Sequence, residues 1–368
     1  MVQSERIFGL DLMRCIAILM VLCSHILWIY PQNSSLLYQV FTLFGFWGVE
    51  IFFVLSGFLI GSILYRTYLR ESYTIKDVFG FLKRRWFRTL PNYYLVLLLN
   101  IAVTYYIGNP LKGVFPYFFF LQNFCSPMPV FFTESWSLSV EEFAYLLLPF
   151  ALFLSLFLSK KLNRKKIFLL TVLILVLVFL GTKIGYALTT SNTTGEEWNR
   201  SLKAVVFYRI DSILIGVLAS WLAVEFSEFW KKQAVNLMFL GFFLIGVIYF
   251  SMAVFKITAE QNPFFWNVLF LPLTSIVFWL FLPFLSQWKS ANTLFSKPIR
   301  FVSIVSYSVY LLHYGIVLQL MKYLFDTSNC STLELHGFTL VYLFVTFFLS
   351  FLFYKLYEKP LMDLRERF

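Results

Sequence analysis

Arg14 and His25 lie eleven residues apart in one apolar stretch near the start of the chain. On a helix, eleven residues are about three turns, so both side chains fall on one face, roughly 16 Å apart along the axis. Asp11 lies one turn before Arg14 on nearly the same stripe. Ionisable groups inside an apolar span are costly and mark function by default. An imidazole held there suits proton abstraction from a weakly acidic hydroxyl, and a nearby carboxylate would hold the ring. The plainer reading of His25 is a hydrogen bond between helices. Of the chain's three histidines, His25 and His313 fall in apolar segments, while His336 sits in a polar loop.

Further ionisable groups enter apolar runs in short, chemically dense segments. Glu50 lies in Gly48-Val-Glu-Ile-Phe-Phe-Val-Leu-Ser-Gly57. Trp136, Glu141 and Glu142 lie in Trp136-Ser-Leu-Ser-Val-Glu-Glu142, and Arg209 and Asp211 in Tyr208-Arg-Ile-Asp-Ser212. Arg84, Arg85 and Arg88 cluster before another run. Planar guanidinium forks pair with phosphate oxygens, so this cluster suits a polyanionic ligand; taken alone, setting topology is its plainer role. For Glu50 and Asp211, charge neutralisation by Arg209 stands beside catalysis as a reading. His313 follows Tyr310 by one turn and is either a packing residue or a rival base. Catalytic candidates are therefore His25, Arg14, Glu50, Glu141 and His313. Substrate contacts are expected from Asp11, Arg84, Arg85, Arg88, Trp136, Glu142, Arg209, Asp211 and Tyr310, with Arg209 or Tyr310 a candidate to stabilise an oxyanion. No metal site is expected.

The elements that must position these groups are membrane helices. The chain is 60% hydrophobic and 21% aromatic, more apolar surface than a soluble domain of this length hides. Apolar runs fall near 8–30, 40–65, 86–107, 139–158, 167–188, 204–224, 234–254, 264–285, 301–323 and 337–356. Each approaches the ~20 residues a span needs. The expected fold is all-α, a polytopic bundle of about ten transmembrane helices forming one domain over 1–368. The formal charge of +11 gathers on alternate junctions: Arg66 to Arg88, Lys160 to Lys166, Lys231 and Lys232, Lys289 to Arg300, and Lys355 to Arg367. That distribution argues against a nucleic-acid partner and, by the positive-inside rule, places both termini in the cytoplasm. It puts His25, Glu50 and Arg209 in the outer half, with Arg14 and the arginine cluster in the cytoplasmic half. Within the aromatic loop from Gly108 to Leu138, Tyr117-Phe-Phe-Phe-Leu-Gln-Asn-Phe124 reads as an interfacial or re-entrant segment. Cys125 and Cys330 fall in outward loops, where a disulfide is conceivable but two free thiols are the simpler reading. Sequons at Asn33, Asn192, Asn199 and Asn329 also lie there. A proton-coupled secondary transporter of a glycan precursor or organic acid is the rival reading, although no internal repeat supports it.

In order along the chain, the sequence resembles the acyltransferase-3 family of integral-membrane acyltransferases. The matching pieces are Arg14-x10-His25, Gly48-Val-Glu-Ile-Phe-Phe-Val-Leu-Ser-Gly-Phe58, Arg84-Arg-Trp-Phe-Arg88 with Pro91, Trp136-Ser-Leu-Ser-Val-Glu-Glu142 with Tyr145 and Pro149, Tyr307-Ser-Val-Tyr-Leu-Leu-His313, and Tyr357-Glu-Lys-Pro360. Phe143-Ala144 departs from the Gln-Phe common at that place. The resemblance implies ten core helices in the cell membrane and an acyl-CoA donor on the cytoplasmic side, with no permanently bound cofactor. It implies acyl transfer to a hydroxyl of an extracytoplasmic cell-surface or lipid-linked glycan, with Arg14 essential and His25 the base.

Overall fold

The computed structural model describes residues 6–32, 35–70, 72–158, 163–190 and 194–365. Asn33, Asn192, Lys160, Lys161 and Arg367 lie outside the described residues. Among the described residues the chain is helical, with no strand. Ten helices carry the architecture: α1 Phe8–Ile26, α2 Leu36–Tyr68, α3 Ile75–Ile107, α4 Trp136–Leu158, α5 Arg164–Thr189, α6 Ile210–Glu225, α7 Ala234–Val254, α8 Phe270–Trp279, α9 Ser296–Leu312 and α10 Thr332–Phe353. Nine helical segments among the described residues are long and apolar enough to cross a membrane. The protein is a multi-pass membrane helix bundle.

The tenth expected span, 204–224, is α6, and it is only 16 residues long. Its residues from Ile210 to Val217 are all buried. It packs most densely on α2 and also meets α5, α8 and α4. Protein encloses α6, so it need not match the hydrocarbon thickness as a lipid-facing helix must. The opposite case is α7, whose Phe239, Phe242, Phe243 and Phe250 all project outward, as a lipid-facing helix requires.

α3 begins eleven residues earlier than the apolar run at 86. A capping box between Thr74 and Asp77 starts it, with both reciprocal hydrogen bonds formed. The arginine cluster therefore sits on a helix, not in a loop. At 33 residues α3 exceeds the bilayer core by several turns. Pro91 interrupts its hydrogen-bond ladder. Carbonyls on either side of the break are taken by other helices: Tyr307 donates to the Thr89 carbonyl at 3.0 Å and Tyr357 to the Pro91 carbonyl at 3.3 Å.

Two contacts fix the registers that matter for the site. α2 and α6 cross with backbone touching backbone: a Cβ on Gly57 would fall on the Ile213 carbonyl, and one on Gly216 on the Val54 carbonyl. That approach brings Glu50 of α2 beside Arg209 at the start of α6. The second is a π turn, His313–Leu318, that continues α9 to Leu324. Wide turns of this kind displace side chains and frequently mark functional places. At Gly315, within the turn, the amide donates to Glu134 Oε1 at 2.8 Å, and a Cβ would strike the Asn100 and Glu134 side chains. The aromatic segment after α3 packs into the bundle rather than lying over it. Tyr117 and Asn123 are buried, and Tyr93 and Tyr94 donate to the Tyr117 and Phe118 carbonyls at 2.8 and 2.9 Å. Cys125 and Cys330 are free thiols.

Candidate active site

Near the Arg14 end of α1 the helices part around an open cavity with about 830 Å³ of empty space including its mouth. Its wall carries Arg14, Arg85 and Arg88 against a single carboxylate, Glu141. Arg85 lies over the Phe81 and Tyr145 rings, 5.7 and 5.5 Å from their centroids, an arrangement that holds the guanidinium without neutralising it. Glu141 accepts from the Tyr145 hydroxyl at 3.0 Å, and that hydroxyl also meets Ser56 at 2.6 Å. Three guanidinium groups and one carboxylate thus share this space, a composition that suits an anion.

Asp11 is not on the cavity wall. Arg6 grips it through two hydrogen bonds, 2.6 and 3.1 Å, and Ser303 donates to it at 2.8 Å. Arg14 touches the same Ser303 hydroxyl at 3.3 Å and stands 3.6 Å from Asp11. Asp11 thus positions Arg14 while Arg6 takes most of its charge. Arg84 is exposed and does not line the cavity. Glu142 is buried behind the wall, where it accepts from Thr89 at 2.7 Å. Glu358, which had stood only as part of a motif, is also buried there and accepts from Ser308 at 2.6 Å.

At its far end the cavity meets Val49, Phe52, Phe53, Ser137 and Tyr310. The Tyr310 hydroxyl meets Ser137 at 2.6 Å and donates to the Glu134 carbonyl at 3.1 Å. That hydrogen-bonded plug closes the passage part-way. Directly behind it stands His313, its ring centroid 5.8 Å from Tyr310 and 4.7 Å from His25. His25 itself is not on the cavity wall. The structure therefore brings Arg14, Arg85, Arg88, Glu141 and Tyr310 into one space and sets the two histidines one side chain beyond it.

The hydrogen bonds of the imidazoles assign their tautomers. His25 Nδ1 lies 2.9 Å from the Val21 carbonyl, which can only accept, so Nδ1 carries the proton. His313 Nδ1 lies 2.8 Å from the Tyr310 carbonyl, with the same consequence. In neutral rings both Nε2 atoms are then bare lone pairs. His313 Nε2 stands 3.2 Å from His25 Nδ1 and accepts a share of that N–H. What remains is His25 Nε2, an unprotonated nitrogen. A proton added there would leave the Nδ1–H of His25 directed at His313 Nε2. A neutral imidazole thus occupies the place expected for a carboxylate.

The remaining sequence candidates form a separate group. Glu50 is ion-paired with Arg209 and accepts from Ser275 at 2.9 Å; Ser275 also meets Ser212. Asp211 pairs not with Arg209 but with Lys183 of α5. All four charged side chains are buried, and none lines the cavity. Lys183 escaped the sequence reading although its signal was plain: an ammonium in the middle of the apolar run 167–188. Trp136 stands off the cavity too, edge-on to Phe53 at 5.8 Å. Glu134, a buried acid of the plug region, also went unread; nothing in its local sequence distinguishes it from a loop carboxylate.

Comparison with known proteins agrees with this architecture. Residues 7–355 match the acyltransferase domain family. The O-acetyltransferase OatA of Staphylococcus aureus (strain NCTC 8325 / PS 47) is 26% identical over 336 residues, covering 86% of this chain and 51% of the relative. The peptidoglycan O-acetyltransferase OatA of Listeria monocytogenes is 24% identical, covering 84% and 49%. The putative peptidoglycan O-acetyltransferase YrhL of Bacillus subtilis is 27% identical, covering 84% and 48%. The chain thus spans about half the length of the curated relatives it matches. No solved structure matches it. With nearly its whole length covered by the family match, on a helical bundle that sets Arg14, Arg85 and Arg88 around one cavity, the chain belongs to the acyltransferase-3 family.

Proposed function

We propose that this protein transfers a short acyl group, acetyl in the first instance, from acyl-coenzyme A to a hydroxyl of a cell-surface glycan. The observation that carries the reading is a cavity with three guanidinium groups at its mouth and an unprotonated imidazole nitrogen one side chain beyond its closed end. The names of the relatives, O-acetyltransferases and peptidoglycan O-acetyltransferases, support both the acetyl group and the glycan. The excess of Lys and Arg on alternate junctions supports a cytoplasmic Arg14 end and cytoplasmic termini for a bundle held in the plasma membrane. Arg14, Arg85 and Arg88 bind the donor's phosphates there. The thin pantetheine arm extends along the cavity, and Tyr310 swings away from Ser137 to admit the thioester.

In the reaction, His25 Nε2 takes the proton of the acceptor hydroxyl as its oxygen bonds to the thioester carbon. The carbonyl electron pair moves onto oxygen. Collapse of that intermediate breaks the carbon–sulfur bond, and the departing thiolate recovers the proton from His25. General-base assistance of this kind contributes about 10²–10⁴-fold. In purified protein with acetyl-CoA and glycan, His25→Gln therefore lowers kcat by that factor while acetyl-CoA binding persists. Undiminished transfer by His25→Gln removes the base from the mechanism, and no CoA release by the wild type removes the reading.

A further inference from the structure

The proposed reaction builds negative charge on the thioester oxygen, and the sequence candidates to stabilise it are already engaged. The Tyr310 hydroxyl is held by the Glu134 carbonyl and Ser137, and in the proposed reaction its side chain moves out of the thioester's way. Arg209 is paired with Glu50 and lies behind the Phe53 ring, 5.4 Å from its centroid. A different cation lies among the side chains next to the closed end of the cavity. Lys203 ends a short π turn, Asn199–Lys203, between α5 and α6. Its ammonium lies over the Trp136 ring at 5.1 Å and the Phe46 ring at 5.9 Å, and donates to Asn199 Oδ1 at 2.6 Å.

The placement is fixed and specific. Asn123 donates to both the Trp136 and the Ala204 carbonyls, at 3.1 and 2.7 Å, tying the Lys203 backbone to the start of α4. Trp136 immediately precedes Ser137, which closes the cavity. Phe46 lies one turn of α2 beyond Val49, a residue of the cavity's closed end. Lys203 is also the charged side chain whose field acts on His25. Among the described residues it forms no ion pair. A half-buried cation without an ion-pair partner is an unbalanced charge of the kind that ligands complete.

Resting on the function proposed above, we propose that Lys203 is a catalytic residue that stabilises the oxyanion formed on the thioester carbonyl. Burial pushes its ammonium down to about 8, so it is still protonated at neutral pH and close to losing its proton above it. The titratable group coupled to it is His25 of α1, Arg200 shares its turn and Glu196 and Glu197 lie on the short helix before it; the side chains it touches, Phe46, Trp136 and Asn199, do not titrate.

The test is steady-state kinetics of the purified full chain with acetyl-CoA and soluble glycan strands of alternating N-acetylglucosamine and N-acetylmuramic acid. Lys203→Met is expected to lower kcat by about 10²–10³, as loss of an oxyanion donor does elsewhere, with both KM values within about twofold. Lys203→Arg recovers at least about tenfold of that loss. An unchanged kcat overturns the proposal. So does a raised KM for the glycan at constant kcat, which would make Lys203 an anchor for the acceptor's carboxylate. If Lys203→Met does not fold, the pH profile decides: the wild-type rate falls above about pH 8, and Lys203→Arg, which keeps its charge, holds its rate to higher pH. The same falling limb in both overturns the proposal. Wild-type CoA release with an undiminished Lys203→Met removes this inference alone, whereas no release by the wild type removes the proposed function as well.

Discussion

Two groups of buried charge share this bundle and differ in their arithmetic. At the crossing of α2, α5 and α6, Glu50 meets Arg209 and Asp211 meets Lys183, two acids against two bases, sealed from solvent. At the other end, Arg14, Arg85 and Arg88 line an open cavity whose wall carries one acid, Glu141, while Asp11, Glu142 and Glu358 lie buried behind it. Both groups look alike in sequence, as ionisable residues in apolar runs. What separates them is balance. A cluster that neutralises itself needs nothing further, and its cost is set by desolvation. A cluster with charge left over is complete only with a ligand of the opposite sign. The lesson applies to intramembrane charge generally: a single ionisable residue says little until its partners are counted.

The largest effect expected from breaking the comparison lies in the balanced group. Arg209→Met leaves Glu50 buried without its counter-charge, which costs about 3–5 kcal/mol of stability. The measured signs are a large drop in thermal midpoint in detergent and poor recovery of folded protein. The double variant Arg209→Met with Glu50→Leu removes both charges and is expected to regain most of that stability, since well-packed apolar replacements of buried pairs are often neutral. The double variant also interrogates catalysis. Stability regained with transfer intact makes the pair structural, whereas stability regained without transfer gives Glu50 or Arg209 a direct part in the reaction.

The unbalanced group should respond the other way round. Arg88 makes no ion pair among the described residues, so Arg88→Ala is expected to leave the thermal midpoint nearly unchanged. Its cost appears in donor binding. A charge-assisted contact to phosphate contributes about 1.5–3 kcal/mol, which raises the KM for acetyl-CoA by about ten- to a hundredfold. Dephospho-CoA and CoA derivatives shorn of the nucleotide would show whether Arg88 reads the adenosine phosphates or the pyrophosphate. A stability loss comparable to that of Arg209→Met would collapse the distinction between the two groups.

How much of this was readable beforehand follows from how local each signal is. Apolar run lengths located the helices, because a spanning helix is a property of some twenty consecutive residues. Although only Arg14 lines the cavity, the spacing of Arg14 and His25 along one helix was readable for the same reason. Pairings between distant segments were not. Asp211 was matched with its sequence neighbour Arg209, whereas the fold gives it Lys183, 28 residues away on another helix. The start of α3 lay outside its apolar run because the capping box sets it. Neither the π turn at His313 nor the Tyr310–Ser137 plug has a periodicity that announces it. The short α6 passed for a full span since hydropathy does not distinguish a helix buried in protein from one bathed in lipid. Lys203 reads locally as a loop charge, and only the folded arrangement sets it over the Trp136 and Phe46 rings.

The smallest effect concerns the one place where the two kinds of charge group meet. Asp11 is an acid shared between Arg6, which is about half exposed, and Arg14, which faces the cavity. Arg6→Ala removes an exposed partner, so its direct cost to stability is at most about 1 kcal/mol. Its indirect effect has a definite sign. Without Arg6, Asp11 turns its full charge on Arg14, draws that guanidinium from the cavity, and makes the site less positive. The KM for acetyl-CoA then rises by a few-fold, about what 1 kcal/mol allows. Asp11→Asn acts in the opposite direction on charge, because it leaves Arg14 uncompensated, and the donor KM should hold or fall. Both shifts should shrink as ionic strength is raised, because Arg6 is open to solvent and its field is screened within about 10 Å at 0.1 M salt. If the two variants instead move KM the same way, Asp11 acts only by holding Arg14 in place, and the leftover positive charge of the cavity is not what attracts the donor.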